Sequence, residues 1–429
     1  MAAESPPFSV SLALALEGAA APGAQLYQAA LAEAEAAVAD LRGAYAKNTL
    51  ELLRVPERRD DLDKAAEAAD AFNHNTADIC ILGIGGSSLG GQAIAELVPF
   101  PRAKKPRVHF LDNPDPFTFE AALSALDLRT TRFLSISKSG GTAETLMQTL
   151  AAAGAIEKAG GGKYLKQHFL CITEPKPGPL RAFAESIGCP VLDHPLGVGG
   201  RYSVLTVVGL LPAMLMGLDA RAIREGADDV LQQMLRGATP VASGAALHHA
   251  LSRAGRLSET VLWSYADALK TFGPWWRQLW AESLGKEGKG STPVSALGPV
   301  DQHSQLQLFL DGPGEALFTI VSTETRETGP LAPRERAEAL GLDYLAGKTL
   351  GDLVAAEARA TAETLHARGR PVRQIHIPKI DERGLGALFM HFMLETIIMG
   401  RLMRVDPFDQ PAVEEGKVLA RRYLGTGRE

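Results

Sequence analysis

The chain runs to 429 residues, enough for two packed units with smaller additions rather than one domain. Its hydrophobic share of 46% is ordinary globular usage, and a formal net charge of −6 argues against a nucleic-acid binder, which needs a basic surface to displace counterions. Cys80, Cys171 and Cys189 are too few and too scattered for a disulfide framework and read as buried free thiols.

The opening MAAESPPFSV lacks the basic start and apolar run of a secretory signal. Apolar stretches elsewhere are broken by charge or glycine before the ~20 residues a membrane span needs. The expectation is a cytosolic protein with neither nucleic acid nor membrane as partner. Residues 23–72 are rich in Ala, Glu and Leu, so 1–72 reads as an N-terminal helical segment. From Asp78 short apolar runs at 79–84, 108–111, 133–136, 169–172 and 191–192 alternate with turns and helical stretches, which places a first α/β unit over 73–218. Residues 219–256 read as a helical connection. A second set, ETVLWSY, TPVSAL, EALFTIVS and VRQIHIP, places another α/β unit over 257–400, closed by a helical tail over 401–429.

Two glycine-rich loops follow strands of the first unit. ILGIGGSSLGG sets Gly85, Gly86, Ser87 and Ser88 between strand and helix, where glycine admits close backbone approach and the helix start offers N–H groups to an anion. A dinucleotide fingerprint from Gly83 would need glycine at 88, and no Gly-Lys-Ser/Thr follows for a P-loop. A ligand loop and a tight turn packing helix on sheet are both compatible with it. FLSISKSGGTAETL brings Ser137, Ser139 and Thr142 beside the donors of a helix N-terminus, an arrangement that suits phosphate, with Lys138 able to add charge or to pair elsewhere.

Three more segments carry residues suited to removing a weakly acidic proton beside a carbonyl, which takes an ionised base and a charge for the resulting oxyanion. LGVGGRYSVLTVVGLLP places Arg201 after Gly199 and Gly200; arginine stays protonated and stabilises an oxyanion without quenching it. In WWRQLWAESLGKEGKG, Gln278 and Glu282 lie four apart on one helix face beside Trp275, and the charged run Lys286, Glu287 and Lys289 reads as a solvated turn. His303, in DQHSQLQ, is a residue type suited to shuttling a proton. VDPFDQPAVEEGKVLARRYL carries Gln410 and Lys417, which by pattern alone are a turn residue and a surface lysine. His391 and Glu395 have i, i+4 spacing on an apolar helix and read as a packed pair.

Together these segments resemble the glucose-6-phosphate isomerase family. VGGRYSVLTVVGL and PFDQPAVEEGK are similar to its two signatures, SKSGGTAET to its phosphate loop, ILGIGGSSLGG to its first loop, and AESLGK with DQHSQLQ to its catalytic helix and histidine segment, in family order from about residue 79 to 420. The resemblance implies a doubly wound α/β fold of two sugar-isomerase-type subdomains, with N-terminal helices and a C-terminal helical tail. It implies aldose–ketose isomerisation of a phosphorylated hexose through an enediolate, without metal or organic cofactor. By the same resemblance Glu282 is the base, Arg201 stabilises the enediolate, and His303 and Lys417 assist ring opening. Ser87, Ser137, Lys138, Ser139 and Thr142 would hold the phosphate or its neighbours, with Gly86, Gly200, Gln278 and Gln410 lining the sugar. The family further implies a homodimer in which the neighbouring subunit contributes the histidine. Gly141, Leu284 and Ala412 depart from commoner family residues and bear on affinity rather than reaction class. A dual glucose/mannose phosphate isomerase and a non-catalytic sugar-phosphate sensor are the alternatives.

Overall fold

The structure is a computed structural model that describes residues 7–100, 106–237 and 240–426. The first six residues of the opening, residues 101–105 of the first α/β unit, two residues of the helical connection and the last three of the tail therefore lie outside the described residues.

Ten strands form among the described residues: β1 (Ser9–Ser11), β2 (Asp78–Leu82), β3 (Arg107–Phe110), β4 (Thr131–Ile136), β5 (Phe169–Thr173), β6 (Val191–Asp193), β7 (Glu259–Ser264), β8 (Thr292–Leu297), β9 (Ala316–Thr323) and β10 (Val372–Ile377). β2 to β10 fall on the apolar runs expected as strands, within two residues at each end. β1 corrects the expectation that the N-terminal segment is purely helical: Val10 lies opposite Ile375 in an antiparallel pairing with β10. A three-residue strand is too short to show a period, so no pattern announced it.

The strands build two five-stranded sheets, ordered β3-β2-β4-β5-β6 and β1-β10-β9-β7-β8, and every pairing except β1 with β10 is parallel. Parallel sheets are covered on both faces, which is why β2 (DICIL) and β5 (FLCIT) are apolar in sequence and buried throughout. The winding reverses between β2 and β4 in the first sheet and between β7 and β9 in the second. In doubly wound sheets ligands bind outside the strand ends at such a reversal. Both glycine-rich loops, 83–88 after β2 and 137–142 after β4, open at the first of them.

The helix Glu382–Met403 is the spine of the core, buried at every residue from Gly384 to Gly400. At 22 residues, with an 18-residue window of mean hydropathy 1.4, it is long and apolar enough to cross a membrane, which corrects the expectation that every apolar stretch is broken short of that length. Gly384, Gly386, Glu395 and Gly400 interrupt the run without undoing its apolar character, and 89% of the apolar window is buried inside the fold. Glu395 is carried in that interior by Arg373, whose Nη1 donates to Oε1 at 2.6 Å, with His248 and His391 alongside at 3.4 and 3.5 Å. All three cysteines are free and buried.

Candidate active site

Glu282 sits in the last turn of the helix Phe272–Leu284, whose Phe272, Trp275, Trp276, Leu279 and Trp280 are buried in the core. That buried face fixes the rotation of the helix, so the opposite face is aimed reproducibly. On it Gln278, one turn before Glu282, donates from Nε2 to Glu282 Oε1 at 3.0 Å, the i, i+4 contact that the spacing predicts. The Oε1 atom of Gln278 is buried and has no partner among the described residues, which leaves an acceptor for a hydroxyl beside the carboxylate. The side chain of Glu282 is 34% exposed, open on one side and held on the other.

What holds it is Arg201. This arginine leads the 3₁₀ turn Gly200–Leu205 and is buried, at 4% exposure. Nε donates to Ser283 Oγ (2.7 Å); Nη1 donates to Gln410 Oε1 (2.8 Å) and Glu282 Oε2 (3.3 Å); Nη2 donates to the carbonyls of Pro407 (2.6 Å) and Asp409 (2.9 Å). A guanidinium has five N–H donors, and all five are used. The adjacent Tyr202 hydroxyl lies 3.0 Å from Ser283 Oγ and donates to the Pro407 carbonyl. Burial pushes the Tyr202 phenol up to about 12 against the opposing pull of Ser283 and Arg201, so it remains a neutral donor.

The first glycine loop is drawn into the same place. A Cβ on Gly86 would lie 2.3 Å from the carbonyl carbon and oxygen of Gly200, and one on Gly85 would lie 2.8 Å from Gln278 Nε2. Only glycine lets the 83–88 loop, the Arg201 turn and the Glu282 helix meet. Ser87 closes the short turn Gly85–Ser87 there.

In the loop after β4, Ser137 Oγ and Thr142 Oγ1 are 2.9 Å apart, and Ser139 Oγ accepts from the N–H of Gly141 at 3.2 Å. Thr142 is the N-cap of the helix Ala143–Lys158 but makes no side-chain cap, which leaves the first helical N–H groups to a ligand. Lys138 turns its ammonium toward the buried Glu174, 3.8 Å away, and Lys176 pairs with the same carboxylate. The loop thus presents hydroxyls and backbone N–H groups beside a lysine that also faces a carboxylate.

Not every expected residue joins the cluster. His303 is exposed on the 3₁₀ turn Val300–His303, and no side-chain bond from it forms within the described chain. Lys417 lies on the exposed helix Glu414–Thr426 and bonds Glu414 at 2.7 Å. Leu284 is buried at the end of the Glu282 helix.

The phosphoglucose isomerase family model matches residues 61–299. A curated glucose-6-phosphate isomerase from Rubrobacter xylanophilus is 37% identical over 382 residues, covering 87% of this chain and 88% of the relative. The chain belongs to the phosphoglucose isomerase family. Among solved structures, that of a hypothetical protein from Thermus thermophilus superposes with a TM-score of 0.86 at 35% identity, covering 97% of this chain and 99% of that one. A glucose-6-phosphate isomerase from Chlamydia trachomatis shares the fold with a TM-score of 0.81 at 19% identity, covering 98% and 89%. Membership settles the fold class as two sugar-isomerase-type parallel α/β sheets.

Several residues of this family member's site escaped the sequence reading. Ser283 and Tyr202 sit beside recognised residues, but a serine that accepts from an arginine 82 positions away has no local signal. Thr145 presents a buried hydroxyl without a partner among the described residues, in the first turn of the helix after the 137–142 loop. The reading of Lys286 as part of a solvated turn is corrected. Glu287 is 65% exposed, but Lys286 is only 12% exposed and pairs with Asp409 at 2.8 Å.

Proposed function

We propose that the chain interconverts glucose 6-phosphate and fructose 6-phosphate by proton transfer between C2 and C1 of the open-chain sugar. The observation that carries this is the contact of Arg201 with Glu282: an open carboxylate beside a buried, permanently charged donor. Ionised Glu282 takes the C2 proton of the aldose. The electron pair moves into a C1–C2 double bond and the carbonyl oxygen becomes the enediolate oxygen. A proton passes from the C2 hydroxyl to the C1 oxygen, and the carboxylic acid then returns the carbon-bound proton to C1, leaving the carbonyl at C2 and giving the ketose. The 3.3 Å bond to Glu282 is the longest that Arg201 makes and the one most readily exchanged for a bond to the enediolate. The other four fix the guanidinium, so little reorganisation is left for the reaction to supply.

Ser137, Ser139 and Thr142 with the helix N–H groups hold the phosphate, in company with Lys138 and Ser87. Gly86, Gly200, Gln278 and Gln410 face the sugar. The exposed position of His303 supports a homodimer in which the neighbouring subunit's histidine completes each site, and Lys417 joins it in opening the ring. The chemistry is carried by side chains alone, in a cytosolic enzyme.

A coupled assay starting from fructose 6-phosphate, with glucose 6-phosphate and mannose 6-phosphate quantified separately, tests the reading. Glucose 6-phosphate is the expected product. Glu282→Gln should lower turnover by about 10²–10⁴, the range for removing one positioned base. Wild-type protein at background would favour a sugar-phosphate sensor, and mannose 6-phosphate formed at a comparable rate a dual-specificity enzyme.

A further inference from the structure

The residues after the Glu282 helix and the residues before the Lys417 helix are joined by a set of cationic contacts. The helix Glu382–Met403 ends with Arg404 in the left-handed region at φ 57°, and the chain then runs irregularly through 405–410 into the turn Pro411–Val413. Such a stretch has few bonds of its own: Val405 N–H to the Gly400 carbonyl and Phe408 N–H to Asp406 Oδ1. Three of its carbonyls, those of Asp406, Pro407 and Asp409, are taken from outside. Arg201 holds those of Pro407 and Asp409. Lys289 Nζ donates to Met403 O at 3.0 Å, where the last carbonyls of a helix leave partial negative charge. Lys286 Nζ donates to the carbonyl of Asp406 and pairs with Asp409 Oδ1 at 2.8 Å.

Lys286 is placed for this by backbone geometry. It follows Gly285, the C-cap of the Glu282 helix, and its N–H returns to the Leu284 carbonyl at 2.9 Å. Its amine is therefore referenced to the helix that carries the base. The partner segment delivers Gln410 Oε1 to the same Arg201 nitrogen that contacts Glu282.

We propose that Lys286 is a positioning residue for isomerisation. By clamping Asp406 and Asp409 to the end of the Glu282 helix, it sets how Arg201 divides its Nη1 donors between Gln410 and Glu282. Without the clamp the 405–410 segment loosens and Arg201 loses three of its five acceptors together: the Pro407 and Asp409 carbonyls and Gln410 Oε1. The guanidinium then no longer sits where the enediolate develops. The inference rests on the isomerase reading above for its kinetic consequence, but not for the clamp itself.

Two measurements test it separately. Amide hydrogen exchange of the intact protein should show residues 405–413 exchanging faster in Lys286→Met than in wild type, while the core helix Glu382–Met403 is unchanged. Kinetics with fructose 6-phosphate should show Lys286→Met lowering kcat by about tenfold to a hundredfold at near-constant KM, the scale for a misplaced catalytic group, with Lys286→Arg recovering most of the loss. In an Arg201→Lys background the same substitution should change kcat by less than about threefold, because the two residues act through one contact. Should Lys286→Met fail to fold, Asp409→Asn removes the other half of the pair and carries the same expectations. Unchanged exchange at 405–413 overturns the clamp. A kcat close to wild type, or an equal loss in both backgrounds, overturns the positioning role. Wild-type protein without isomerase activity would sink the functional reading and leave the exchange result to judge the clamp.

Discussion

Arg201 shows how much a single side chain can organise. Its planar fork meets acceptors from the Glu282 helix and from the 407–410 segment at once, and lysine, with three donors on one nitrogen, cannot reproduce that. Arg201→Lys should therefore lower kcat/KM by about 10²–10³, the cost of losing an oxyanion donor, rather than behave as a conservative change. Steady-state kinetics at saturating and limiting substrate would check it, and a loss below about fivefold would mean that charge alone suffices there. At this scale the sequence was readable where motifs cluster. Arg201, Glu282, Gln278 and Gln410 converge in space, and Ser137 meets Thr142 as their spacing suggested. Lys286, Ser283 and Tyr202 were not readable, because each acts on a partner 80 or more residues away. A charged run after a helix looks the same in sequence whether it meets water or another segment.

Among the elements, the core is closed by a helix crossing that depends on missing side chains. The helices Ala220–Arg236 and Glu382–Met403 approach so closely that a Cβ on Gly226 would lie 1.7 Å from Arg383 O, and one on Gly386 would lie 1.8 Å from Ile223 O. Both obstacles are backbone, which cannot rotate aside. Gly386→Ala should destabilise the protein by about 1–3 kcal/mol, the range for overpacking a core, despite alanine's better helix propensity. Denaturant titration measures this directly; a stability equal to or above wild type would show that the helices can part at no cost. The strands were legible because buried parallel strands are continuous apolar runs bounded by turns. β1 was not, since its place is decided by the free edge of β10, 365 residues away in register (Val10 to Ile375).

For the molecule as a whole, burial of titratable groups sets a pH dependence of stability. Burial holds His168, His194, His249 and His391 below their ordinary value of 6.5. The unfolded chain therefore binds protons that the folded one refuses, so stability is full above pH 6.5 and falls as pH drops through that value. Carboxylates follow at lower pH. Burial alone would raise Glu395, but Arg373, His248 and His391 together hold it well below 4.5. Asp61 and Asp78 are held below 3.8 in the same way, each against its own burial, by Arg224 and by Arg107 with His109. Their contribution is present above those ordinary values and is lost as pH falls through the lowered ones. Thermal melts should show Tm declining from pH 7.5 to 5.5 and more steeply below 4.5, with His391→Gln flattening the first decline. A Tm constant between pH 7.5 and 5.5 would contradict the histidine contribution.

The position of the spine helix along the chain has a consequence for biogenesis. Residues 382–403 complete a core that also takes in the N-terminal helices and β7, β9 and β10 of the second sheet, and all of those segments leave the ribosome before them. Until then, the surfaces they cover face water. Before residues 382–403 emerge, the nascent chain carries unfinished apolar faces, so a chain released before residue 400 should aggregate rather than fold.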